Sequence, residues 1–197
     1  MEASSPPGRE TVEFARIVAF TDGVFAIAIT VLVLSLDVPP DLTGSDLHDQ
    51  LVDAWRQLFA YFLSFAVIGR FWIAHHQVFS ILHDFDRRLM ALNLVYLSLI
   101  VLIPFPTELL GEYGGETDSV VLYAAVVGTA ALLGWGLLRA ALRFGLVEPE
   151  ARATIGPTSS GMLRPALVFY ASIPVALLSP VAGQLVWLAM IGGRRRA

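Results

Sequence analysis

Long apolar runs separated by short polar connections dominate the chain. Residues 17–36 contain a single charge, Asp22, and residues 119–138 contain none. A helix needs about 20 predominantly apolar residues to cross a bilayer core, whereas a helix packed on a soluble core keeps a polar face. The pattern therefore predicts an all-α polytopic membrane protein with six transmembrane helices, near 17–36, 51–74, 89–107, 119–139, 162–179 and 181–193.

The third and fifth predicted spans contain prolines, and the sixth is short. The third span is expected to end at Pro104 and Pro106, and the fifth contains Pro165 and Pro174. A membrane helix tolerates such prolines when its neighbours satisfy the freed carbonyls. The sixth span has only 13 residues before Arg194, so a tilted or partly interfacial helix remains an alternative there.

Composition supports the membrane interpretation. Apolar residues make up 56% of the chain and charged residues only 15%, against about 25% charged residues in soluble domains. The chain has no cysteine, which excludes disulfides and thiolate metal sites. The first apolar run is too long for a signal peptide. We expect an N-terminal tail at 1–16, one six-helix domain at 17–193 and a short C-terminal end at 194–197.

The distribution of charge predicts the orientation in the membrane. The 37–50 and 108–118 connections are acidic and contain no arginine. All thirteen basic residues are arginine, and Arg56 alone falls on the acidic side. Arginine-rich ends stay in the cytoplasm, so both termini are expected to be cytoplasmic. The arginines on that side are Arg9, Arg16, Arg70, Arg87, Arg88, Arg139, Arg143, Arg152, Arg164 and Arg194 to Arg196.

The first span contains an acidic residue on one side and a stripe of apolar residues on the other. Asp22 is an acid inside an apolar run, and such residues are functional candidates because they are costly to bury. At about 100° per residue, Asp22 points away from an aliphatic stripe, so it is expected to pack against other helices. The stripe comprises Phe20, Ile27, Val31 and Leu34, with Gly23 and Thr30 at its edge.

Polar residues at the same depth in other spans are candidate partners for Asp22. We expect a cluster of Arg16, Thr21, Asp22, Trp72, His75 or His76, and Asn93. Buried charges are usually paired, which favours a role in locking three helices together over a direct role in transport.

Two further patterns are weaker. The group His75, His76, His83, Asp84 and Asp86 has metal-ligand chemistry, but a capped cytoplasmic helix end explains it equally well. The segment 154–157, Thr-Ile-Gly-Pro, is similar to part of a carbonyl-lined filter. It lies in a predicted cytoplasmic loop without the rest of that pattern, so no re-entrant selectivity-filter loop is expected.

The segment Arg16-x-x-x-Phe20-Thr21-Asp22 resembles the Arg-x-x-x-Phe-Ser-Asp signature in the first helix of the transmembrane protein 175 potassium channel family. The resemblance extends to Phe71-Trp72-x-x-His75-His76 and to Asn93. Thr21 replaces the serine and keeps its hydroxyl. Val31 stands where a larger aliphatic residue is common, which implies a wider constriction at that level.

The resemblance implies a potassium-selective channel in a bacterial plasma membrane. It implies a homotetramer with four first spans around a pore, a constriction of Ile27, Val31 and Leu34, and a selectivity ring of Thr30. Potassium is then the permeant substrate, and no enzymatic activity, cofactor, metal or nucleic acid is expected. The implied structural polar network comprises Arg16, Phe20, Thr21, Asp22, Trp72, His75, His76 and Asn93.

Two other functions stay open at this point. A secondary transporter or proton-coupled carrier could use Asp22 and the histidines, although transporters tend to show internal repeats and midplane ionisable groups. No clear repeat is visible in the chain. A membrane enzyme with a histidine-rich metal site is the third interpretation.

Overall fold

A computed structural model of the protein describes residues 9–36 and 54–190, together with Gly44 and His48. This part of the chain is helical apart from turns, loops and one isolated bridge between Leu82 and Val147. Most of the acidic 37–50 connection, residues 1–8 and Arg194 to Arg196 lie outside it. The helices are α1 Arg9–Val31, continued by a 3-10 helix Leu32–Ser35, α2 Trp55–Phe79, α3 Arg87–Leu102, α4 Pro104–Tyr113, α5 Thr117–Phe144, α6 Pro149–Thr154, α7 Gly156–Ala176 and α8 Pro180–Val186, continued by a 3-10 helix Trp187–Met190.

Four segments of the described chain are long and apolar enough to cross a membrane, and Gly161–Ala176 is a shorter apolar helix. The all-helical membrane architecture is as predicted. Helix α8 and the 3-10 helix after it rise together by only about 19 Å, less than the roughly 30 Å hydrocarbon core. Six crossings therefore remain a prediction. The four long segments are Val12–Ser35, Trp55–Phe79, Arg87–Tyr113 and Thr117–Phe144.

The predicted end of the third span is wrong. Helix α3 ends at Leu102, but α4 begins at Pro104 and continues to Tyr113. Proline fits the first turn of a helix because its missing N–H would have no intrahelical partner there. The Thr107 amide donates to the Ile103 carbonyl at 3.1 Å, so helical bonding resumes within one turn.

Helix α5 is at the centre of the described fold, and α1 is at its edge. Half of the most apolar stretch of α5 is buried, compared with 22% for α1. Small residues bring α5 close to its neighbours, as expected for membrane helices. A Cβ atom on Gly128 would lie 3.4 Å from Phe169 of α7, and one on Gly134 would lie 3.3 Å from Tyr96 of α3.

Buried hydroxyl groups connect the packed helices. The Thr107 hydroxyl of α4 donates to Ser64 Oγ of α2 at 2.7 Å, and Ser64 Oγ lies 3.0 Å from the Tyr123 hydroxyl of α5. Trp187 Nε1 donates to Ser172 Oγ at 2.8 Å. Every buried side-chain nitrogen or oxygen in the described residues has a hydrogen-bond partner, which the low dielectric of such an interior requires.

Candidate functional site

Helix α1 has a buried face and an exposed face on opposite sides. The buried face packs against α2 and α3, and its residue Phe25 is 1% exposed. On the other side Ile27 is 60% exposed, and Leu34, in the 3-10 helix that continues α1, is 76% exposed. An aliphatic stripe is therefore left uncovered by the described part of the chain. The buried positions are Thr21, Phe25, Ala28 and Leu32, and the exposed stripe is Phe20, Ile27, Val31 and Leu34.

Asp22 lies between these faces and contacts α2. Trp72 Nε1 donates a hydrogen bond to Asp22 Oδ1 at 2.9 Å. An indole N–H can only donate a hydrogen bond, and the Asp22 carboxylate supplies the one acceptor that the Trp72 N–H needs. The contact turns the carboxylate away from the Ile27 side of the helix.

A buried chain of hydrogen bonds joins α1, α2 and α3. Asn93 Nδ2 donates to Thr21 Oγ1 at 3.2 Å, and Asn93 Oδ1 lies 2.8 Å from His75 Nε2. With this amide orientation Oδ1 can only accept, so the Nε2 atom of His75 carries the hydrogen. The Tyr96 and Phe79 rings stack on the imidazole, with centroids 5.5 and 4.0 Å away. These contacts hold α1 at one rotation about its axis.

Three residues of the predicted network lie outside these hydrogen bonds. Arg16 is exposed, and the described hydrogen bond to Asp22 comes from Trp72 instead. Phe20 is on the exposed stripe, and the exposed His76 ring lies 5.8 Å from the Trp72 ring. The aromatic rings around His75, which belong to Phe25, Phe79 and Tyr96, are not predicted by the sequence, because apolar aromatics are common throughout such helices.

The Thr30 hydroxyl lies one turn from Ile27 on the exposed side. It donates to the Ile27 carbonyl at 2.9 Å, as hydroxyls within helices commonly do. Because its hydrogen is used in this bond, the oxygen presents lone pairs outward and can accept a donor or a cation.

The histidine and aspartate residues that follow α2 have structural partners. Asp86 caps α3 by accepting from the Leu89 amide at 2.7 Å, and His83 Nε2 lies 3.0 Å from the Gly145 carbonyl. No group of three or more His, Asp or Glu side chains in the described ranges is arranged to hold a metal ion.

Comparisons with known proteins agree with the signature in α1. A family model described as endosomal/lysosomal potassium channel TMEM175 matches residues 16–104. A potassium channel of Streptomyces collinus is 41% identical over 152 residues, 72% of this chain and 74% of that protein. The endosomal/lysosomal proton channel TMEM175 of Gallus gallus is 32% identical over 126 residues, 60% of this chain and 24% of that protein.

A solved structure shares the fold over nearly the whole chain. The crystal structure of a lysosomal potassium-selective channel TMEM175 homolog from Chamaesiphon minutus matches with a TM-score of 0.80 and 28% sequence identity. The match covers 91% of this chain and 95% of that one. Together, the helical fold, the residues of the first three helices and these similarities show that the chain belongs to the TMEM175 family.

Proposed function

We propose that the chain forms a potassium-selective channel in which four copies of α1 surround the pore. Each subunit crosses the membrane six times with both termini in the cytoplasm. The observation that carries this proposal is the exposed aliphatic stripe of α1, centred on Ile27, in a chain similar to a potassium channel and to a potassium-selective one.

The requirement for several subunits follows from the shape of one. A single α1 contributes one stripe, which cannot enclose a path for an ion. Helix α1 is also the least buried of the four long apolar segments, so much of its surface is available to other subunits. Closed cyclic symmetry would bring identical stripes to a common axis.

Ile27 forms the constriction in this proposal. Four isoleucine side chains at one level make a neck without hydrogen-bond partners for water, and such necks gate by excluding water. Val31 and Leu34 extend the apolar lining outward. Because Val31 is smaller than leucine or isoleucine, the lining is wider at its level than a larger aliphatic residue would make it.

Thr30 contributes the oxygen ligands. Its lone pairs are free, because its hydroxyl hydrogen is bound to the Ile27 carbonyl. A ring of such oxygens replaces part of the hydration shell of an ion that approaches or leaves the Ile27 neck. Thr30 therefore favours the ion that loses its shell more easily, which is potassium rather than sodium.

The contacts made by Thr21 and Asp22 position α1 in this assembly. The Trp72 bond to Asp22 and the Asn93 bond to Thr21 lie away from the Ile27 side. They fix the rotation of α1 against α2 and α3 and so keep Ile27 directed at the pore axis. Asp22 acts here as a positioning residue.

Reconstitution of the purified chain in liposomes tests the proposal. We expect a current whose reversal potential follows the potassium gradient and shifts little with sodium or pH. A reversal potential that follows the proton gradient would indicate a proton channel, which is the activity named for the Gallus gallus relative. Flux that saturates and depends on a coupled ion would indicate the carrier mechanism instead.

We expect Thr30→Val to weaken the preference for potassium over sodium while conduction is retained. Valine has nearly the shape of threonine but removes one oxygen ligand per subunit. The reversal potential under bi-ionic potassium and sodium conditions measures the change. Thr30→Ser keeps the hydroxyl and should preserve the wild-type value, whereas an unchanged potential in Thr30→Val would place selectivity elsewhere.

A further inference from the structure

An arginine-lined cleft lies at the end of α5, away from α1. Its volume is about 840 Å³. The end of α5, the start of α3 and helix α6 form its walls, and the lining includes two large apolar side chains, Leu142 and Phe144. All four arginines at the cleft are exposed: Arg88, Arg139, Arg143 and Arg152.

The cleft has a defined backbone frame. The loops after α2 and α5 pair through the bridge between Leu82 and Val147. The His83 amide donates to the Leu146 carbonyl at 3.1 Å, and the Glu148 amide donates to the Ile81 carbonyl at 3.0 Å. This pairing connects the segment leading into α3 to the segment between α5 and α6, and so fixes the elements that carry the four arginines.

The described side chains that line the cleft carry positive charge. They include the four arginines and no carboxylate. The Arg88 guanidinium lies 5.6 Å from the centre of the Phe144 ring, and that of Arg139 lies 5.4 Å from the Trp135 ring. Stacking on an aromatic face holds a guanidinium in place and leaves its N–H edge free for an anion.

Helix stability and membrane topology do not account for this arrangement. Arg143 in the last turn of α5 and Arg152 in the last turn of α6 interact favourably with the helix dipoles. Arg88, however, is the second residue of α3, where a positive charge opposes the dipole. Topology requires arginines on the cytoplasmic side, but it does not require four of them to converge on one cleft.

We propose that this cleft binds the phosphate of an anionic phospholipid from the cytoplasmic leaflet. Guanidinium groups bind phosphate oxygens in bidentate pairs, and Leu142 and Phe144 would contact the apolar part of the lipid. Helix α5 has 28 residues, which is about 42 Å at 1.5 Å per residue. It is longer than the roughly 30 Å hydrocarbon core, so its last turns lie at headgroup level.

Lipid binding can be measured on the full chain in mild detergent by native mass spectrometry. The probes are phosphatidylglycerol and phosphatidylcholine with the same acyl chains, and inorganic phosphate serves as a competitor. We expect retention of phosphatidylglycerol but not phosphatidylcholine, without displacement by millimolar phosphate. Arg88→Gln and Arg143→Gln should each weaken phosphatidylglycerol binding about fivefold, the effect of one arginine near an anionic headgroup.

Arg87→Gln is the matched control. Arg87 is the sequence neighbour of Arg88 and is also exposed, but it lines a different cavity beside Glu13. The Arg87→Gln variant should bind phosphatidylglycerol as strongly as the wild type does. Equal losses in Arg87→Gln and Arg88→Gln would indicate a diffuse basic surface and overturn the site. Displacement by inorganic phosphate, or equal retention of both lipids, would also overturn it. The readout is lipid binding, so its result is independent of ion conduction.

Discussion

Ile27→Asn is expected to raise the potassium conductance of reconstituted channels about tenfold or more. Asparagine is similar in length to isoleucine and adds a donor and an acceptor in each subunit, which keeps the neck wetted. Lowering the barrier by about 1.4 kcal/mol is sufficient for a tenfold increase in rate. The preference for potassium should change less, because Thr30 is intact. Single-channel recording in symmetrical potassium measures the effect.

Ile29→Asn provides the matched control, because the same substitution is made two positions away. Ile29 is half-buried and packs against the core of its own subunit. Asparagine there leaves polar groups without partners, at a cost of about 1–3 kcal/mol, and should not raise conductance. If a folded Ile27→Asn oligomer conducts no better than wild type, Ile27 is not the constriction.

Asn93→Leu is expected to cause the largest loss of stability among substitutions near α1. It leaves His75 Nε2 and the Thr21 hydroxyl buried without the partner that both contact. Each such group costs about 1–3 kcal/mol. Hydrogen bonds between membrane helices tend to contribute energies at the low end of this range. For the two groups together we therefore expect a decrease of about 2 kcal/mol or more in the free energy of unfolding. Thermal unfolding in detergent measures it.

A second substitution separates the hydrogen bond from simple packing. His75→Phe removes the imidazole that needs Asn93, so the double variant with Asn93→Leu leaves fewer unpaired groups than Asn93→Leu alone. Replacing both partners with apolar groups can be nearly neutral. The double variant should therefore be more stable than the sum of the single losses predicts. Strict additivity would contradict the bond between Asn93 and His75.

The helical class and the two-sided character of α1 were predictable from sequence. The long apolar runs gave the helices, and the 100° spacing separated Ile27 from Asp22 before any contact was known. The structure adds which side of the helix is covered: Phe25 and Leu32 are buried within the chain, whereas Ile27 is exposed.

The pairing of polar residues was less predictable, because it depends on side-chain reach across helices. Sequence grouped Arg16 with Asp22 by depth, but depth does not specify distance, and Trp72 is the hydrogen-bond partner of Asp22. The choice between His75 and His76 also required packing, since only His75 is buried against Asn93. Pro104 alone does not distinguish the end of one helix from the start of the next, because proline is found at both places.

Cadmium block of single-cysteine variants tests most directly whether the exposed stripe of α1 lines the pore. The chain has no cysteine, so Ile27→Cys and Ala26→Cys each introduce one thiol per subunit at neighbouring exposed positions. If four α1 helices surround the pore, cadmium should block Ile27→Cys, where thiolates converge, and leave Ala26→Cys conducting. Equal block of both variants, or a conducting Ile27→Cys oligomer insensitive to cadmium, would contradict a pore lined by this stripe.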